Sequence, residues 1–160
     1  MSTTERKGQQ EEETIQIKKS TVIDASPEVV FEAITDPNEL TNWFPDQATL
    51  EPKVGGKMRF SFYKNSKRGN QEHGRDKDYF HEGIITEFIP NKKISYTWED
   101  SYEPDFPKTV VTWELEKIEN NKTILKLLHT GFKADEKAKH YDEGWTYFLN
   151  ELVKHCEKKK

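Results

Sequence analysis

Residues Tyr141–Cys156, YDEGWTYFLNELVKHC, decide how this chain folds. Tyr141, Trp145, Phe148, Leu149, Leu152 and Cys156 recur at steps of three and four, which places them on one stripe of a helix, with Glu143, Asn150 and Lys154 on the opposite side. A helix with so wide an apolar stripe has to bury it against another layer. The pattern predicts a long C-terminal helix over about residues 135–157, and the remainder of the chain has to supply the surface that receives it.

That surface reads as strands. Ile15, Ile17 and Ile23 alternate with polar residues in 14–23, and Met58, Phe60 and Phe62 alternate with Arg59 and Ser61 after the turn signal Gly55-Gly56. Further strands are predicted over 79–89, 92–100, 109–118 and 123–130, the second of these carrying Ile94, Tyr96 and Trp98 on one face and the third Val111, Trp113 and Leu115. Pro90-Asn91 and Asn120-Asn121 are turn dipeptides, and such short links make an antiparallel meander. Between the first two strands, Ser26-Pro27-Glu28 and Asp36-Pro37 are two successive helix starts: a capping side chain, then a proline where no amide donor is needed. The sum is an α+β domain in which a curved antiparallel sheet of about six or seven strands wraps a long C-terminal helix, with two short helices after strand one.

With 160 residues, the chain fits one domain, taken here as residues 14–157. Residues 1–13 are wholly polar and are expected to be a disordered arm, and Lys64–Asp78, which holds no aliphatic or aromatic residue, a long exposed loop. Charged residues make up 34% and hydrophobic ones 32%, yet 9 Phe, 6 Tyr and 4 Trp lie inside the periodic segments and supply a core from few positions. The net charge of -4 argues against a nucleic-acid partner, and the sequence holds no apolar run long enough for a membrane span and no signal-peptide pattern, so a cytoplasmic location is expected.

Several stretches together resemble the family of homologues of the activator of the heat-shock chaperone ATPase, within the START-like, helix-grip (SRPBCC) superfamily that includes polyketide cyclases and lipid-transfer domains. They are Ser26–Leu40, Trp43-Phe44, Gly55–Phe60, Gly83–Pro90, Tyr96–Trp98, Val111–Trp113, Leu127–Phe132 and Gly144-Trp145, in this order over about residues 14–157. The resemblance implies the helix-grip fold, a role in stress response, and three functions: a carrier or sensor of a small molecule, a chaperone co-factor, or a cyclase- or hydrolase-like enzyme.

The residues themselves favour binding over catalysis. The five histidines show no metal-ligand spacing and there is no phosphate loop or nucleophile elbow, so no metal, cofactor or catalytic residue is expected. Cys156, the lone cysteine, lies on the helix stripe as a buried thiol. His81 reads as an exposed strand position. His129 continues the inward parity of Leu125 and Leu127, a position more often held by a satisfied structural histidine, and it is otherwise the candidate imidazole at a pocket mouth and the one acid or base an enzyme would use here. Any one inward aromatic could simply fill the core, but as a group they outline an apolar pocket between helix and sheet. The expected ligand-binding set is Trp43, Phe44, Met58, Phe60, Tyr96, Trp98, Val111, Trp113, Leu127, His129, Trp145 and Leu149. Gly144, which costs helix stability, implies either close backbone approach or room for a ligand. The expected partners are an apolar small molecule and, through the resemblance, a heat-shock chaperone; the chain is expected to be a monomer or a homodimer.

Overall fold

The computed structural model describes residues 15–64, 77–103, 105–133 and 135–159, so the expected arm and most of the expected 64–78 loop lie outside the described residues. Strand β1 (Ile15–Ile23) is followed by helices α1 (Pro27–Thr35) and α2 (Pro37–Leu40). Six more strands come next: β2 (Gln47–Leu50), β3 (Lys57–Phe62), β4 (Tyr79–Ile89), β5 (Lys93–Asp100), β6 (Thr109–Ile118) and β7 (Lys122–Phe132). Helix α3 (Asp135–Lys159) ends the chain. The short starts form as the capping signals require. Ser26 Oγ accepts from the Val29 amide at 3.2 Å, and the Asp36 carboxylate from the Asn38 amide at 2.9 Å.

The seven strands form one antiparallel sheet in the order β1-β7-β6-β5-β4-β3-β2. Two features go beyond the sequence reading. Strand β2 is an additional edge strand of four residues, too short for its alternation to register, and β1 leaves its sequence neighbours to pair with β7 along its whole length. The turns carry the residues their backbones need: Asn91 and Asn120 sit at φ near 64° and 63°, a left-handed setting that asparagine tolerates. Gly83 has a different cause. A Cβ there would lie 1.8 Å from the Thr97 carbonyl oxygen, so β4 and β5 approach too closely for any side chain, just before the irregularity in their register between Ile85 and Glu87.

Helix α3 lies on the inward face of the sheet and buries Tyr141, Trp145, Leu149, Leu152 and Cys156 of the stripe read from the sequence, with Phe148, its remaining member, only partly buried. Polar ties hold its edges. Lys19 of β1 pairs with Asp142 at 2.8 Å, and near the C-terminal end both His155 and Lys159 reach the Glu39 carboxylate of α2 at 2.8 Å. Burial opposes ionisation of Glu39, but the bonds from Lys159 and His155 outweigh it and hold the carboxyl below its ordinary range.

Candidate functional site

Between α3 and the sheet lies a cavity of about 80 Å³ lined by Phe44, Phe62, Tyr79, His81, Trp98, His140, Tyr141, Gly144, Trp145 and Phe148. Every lining side chain is an aromatic ring or an imidazole. The rings also touch one another: Phe44 meets Phe148 at 4.7 Å between centroids, Phe62 stacks on Tyr79 at 5.2 Å, and His81 stacks on Trp98 at 4.4 Å. Such a wall is stiff, because each ring is held by its neighbours as well as by its own backbone. The space accommodates a few waters or a small apolar group, and it is smaller than the roughly 150 Å³ of a cavity known to take benzene.

Local sequence explains how each wall is positioned. The Trp43 and Phe44 amides both bond back to the Leu40 carbonyl, at 3.2 and 2.9 Å, and this tight turn after α2 directs both rings inward. Phe62 continues the inward parity of Met58 and Phe60 on β3. Tyr141, Trp145 and Phe148 stand one turn apart on the helix face above. Gly144, between them, settles the alternative the sequence left open: a Cβ built there meets nothing within 4 Å, so the residue borders open space and not a close backbone approach.

Of the twelve expected binding residues, Phe44, Trp98 and Trp145 border the cavity. Trp43, Met58, Phe60, Tyr96, Val111, Trp113, Leu127, His129 and Leu149 are buried in the core around it. Their polar atoms are matched inside the fold, with Trp43 donating to the Ala33 carbonyl at 2.8 Å and Trp113 to the Tyr96 hydroxyl at 2.9 Å. Tyr79 and His140 are lining residues the sequence reading passed over, and for His140 it held no signal. His81 corrects an expectation: it is 5% exposed, not a surface strand position, because it shares the inward parity of Gly83 and Ile85 while Glu82 faces outward to pair with Arg59 at 3.1 Å.

His129 is fully buried behind the Trp145 ring and away from any mouth. The Trp145 indole N–H donates to its Nδ1 at 3.0 Å, and an indole can only donate, so the ring proton resides on Nε2. Nε2 donates in turn to Thr109 Oγ1 at 2.8 Å, and that hydroxyl donates to the Trp98 carbonyl at 3.3 Å. Burial, with the nearby His81 as a smaller cause, pushes the His129 pKa down to about 3, so the imidazole is neutral at physiological pH. With both nitrogens engaged it has no lone pair to offer a substrate as a base. A second network runs beside it: Trp98 donates to the Tyr141 hydroxyl at 3.3 Å, which donates to the buried Asp100 carboxylate at 2.9 Å. Elsewhere on the helix stripe, burial pushes the Cys156 thiol up to about 12, a value that keeps it inert. Among the described residues no three His, Cys, Asp or Glu side chains are grouped to hold a metal ion, and no helix is long and apolar enough to cross a membrane.

Residues 24–157 match the model of the family described as Activator of Hsp90 ATPase homolog 1-like protein. The chain belongs to that family. The match spans both short helices, the whole cavity lining and almost all of α3, so the site lies within the family domain. No curated protein matches the chain. Solved structures share its START-like fold. Protein MLL2253 from Mesorhizobium loti is 21% identical with a TM-score of 0.73, over 91% of this chain and 99% of that one. The Aha1 dimer from Colwellia psychrerythraea is 23% identical with a TM-score of 0.68, over 89% of this chain and 96% of that one. CalU16 from Micromonospora echinospora is 20% identical with a TM-score of 0.68, over 91% of this chain and 78% of that one.

Proposed function

We propose that this chain is a small-molecule binding module, a carrier or sensor that takes an apolar or aromatic group into the cavity under α3. The observation that carries the reading is Gly144. Glycine inside a helix costs about 0.5–1 kcal/mol relative to alanine, and no neighbouring atom requires it at this position. Its effect is to leave space among aromatic side chains, which is the form small-molecule sites take. As it stands the space is smaller than an aromatic ring requires, so a ring enters only when Phe148, which is only partly buried, swings outward to enlarge it.

The test is a titration with toluene, followed by quenching of tryptophan fluorescence, alongside native mass spectrometry of the freshly purified protein. Saturable quenching that disappears in Gly144→Leu, with the fold intact by circular dichroism, supports the proposal. No saturable binding and no copurified molecule would refute it.

Family membership favours a second reading, a co-factor of a heat-shock chaperone, which a surface of this domain could serve whatever the cavity holds. Added at saturation to the cognate chaperone, the protein would then change the rate of ATP hydrolysis, and an unchanged rate removes this reading without touching the first.

A further inference from the structure

We propose that His129 and Tyr141 act as two polar pins that set the width of the cavity and so the size of the ligand it admits. The inference rests on the reading of this cavity as a small-molecule site.

The cavity has a helix wall, Tyr141, Gly144, Trp145 and Phe148, and a sheet wall that includes Phe62, His81 and Trp98. Apolar contact stiffens each wall but is non-directional, so by itself it fixes no single spacing between the two walls. Hydrogen bonds have angles and a narrow range of lengths, and buried ones are costly to leave unmade. Three buried ones cross from helix to sheet and form two links. From Trp145 the chain of bonds runs through His129 and Thr109 to the Trp98 carbonyl, at 3.0, 2.8 and 3.3 Å. From Tyr141 the hydroxyl accepts from the Trp98 indole at 3.3 Å and donates to Asp100 at 2.9 Å. Both pins therefore end on the same residue of β5, one at its backbone and one at its ring.

On the helix, Tyr141 and Trp145 are four residues apart and so lie one turn apart on one face, with Gly144 between them. The pins bracket the side-chain-free point of the helix wall. They hold the two walls where the Trp98 and Trp145 rings touch, at 5.8 Å between centroids, and a ligand thicker than the cavity beside that contact must break at least one pin to enter. His129 touches no ligand in this arrangement and is a positioning residue; Tyr141 is both pin and wall.

The experiment compares the affinity for toluene with that for N-phenyl-1-naphthylamine, a larger fluorescent apolar probe, in the full chain. Wild type is expected to favour toluene. Tyr141→Phe, which keeps the ring and loses the hydroxyl, and His129→Phe, which keeps a planar ring and loses both nitrogens, are each expected to shift the affinity ratio toward the larger probe by about tenfold or more. His129→Asn, whose side-chain oxygen can replace Nδ1 as the acceptor for Trp145, is expected to restore most of the wild-type ratio. Leu125→Ala, a core truncation outside both pins, is expected to lower stability and leave the ratio unchanged. A ratio unmoved in Tyr141→Phe overturns the proposal even if His129→Phe fails to fold, and so does an equal shift in Leu125→Ala. Binding of neither probe by wild type refutes the small-molecule reading itself, a result separable from binding with an unmoved ratio.

Discussion

Two glycines show how differently one residue type can be required. Gly144→Ala is expected to raise stability by about 0.5–1 kcal/mol, since the added methyl meets open space and the helix gains propensity, while toluene affinity falls. Gly83→Ala is expected to cost more than about 3 kcal/mol, because its methyl would overlap the Thr97 carbonyl and force β4 from β5. Thermal melts of both variants check this, and a destabilised Gly144→Ala would mean the space beneath it is not there. His129 yields a pH dependence of known sign. Its ordinary value is 6.5 and burial lowers it to about 3 in the fold, so between those values the unfolded chain binds a proton that the folded chain does not. Its contribution is therefore fully present above about pH 6.5 and is lost as pH falls toward 3, on the order of 4 kcal/mol across the window. Urea unfolding from pH 7 to 3 is expected to show a shallower acid loss in His129→Asn than in wild type; parallel curves would contradict the assignment.

At the scale of elements, helix α3 both closes the core and forms one wall of the cavity. Trp145→Ala is expected to cost about 3–5 kcal/mol, since the ring is buried and its N–H is bonded, whereas Lys154→Ala on the opposite face is expected to change stability by less than about 0.5 kcal/mol. Equal effects in denaturant titrations would mean that the wrong face of the helix has been placed inward. This helix was the most legible part of the chain, because its stripe repeats over four turns and each repeat reinforces the last. The two short helices were legible from capping chemistry alone, and β3 to β7 from alternation. Strand β2 was not, since four residues at an edge give too few periods, and the β1–β7 pairing was not, since partners a whole domain apart leave no local mark.

The site was legible only by composition. Alternation says that Tyr96, Trp98 and Trp113 point inward, but not which inward rings touch one another and which leave a gap. That depends on where α3 settles over the sheet, a tertiary property. His81 illustrates the difficulty: its parity was available on β4, yet a histidine beside Glu82 is commonly exposed, and only its stacking against Trp98 reveals its place. The same ambiguity surrounds His129, whose inward parity fitted a structural histidine better than a functional imidazole but did not separate the two, as its two bonds do.

For the whole molecule, membership of the Activator of Hsp90 ATPase homolog 1-like family leaves open which surface acts, because one scaffold serves several functions. The aromatic cavity is the feature on which the proposed binding rests. Its four tryptophans allow a direct test, since each indole N–H gives its own signal in a two-dimensional nitrogen–proton NMR spectrum. Two of them, Trp98 and Trp145, border the cavity, and Trp43 and Trp113 lie outside its lining. On titration with toluene, the Trp98 and Trp145 signals are expected to move most and to saturate together; signals that do not move, or that move equally for all four, would contradict a ligand site under α3.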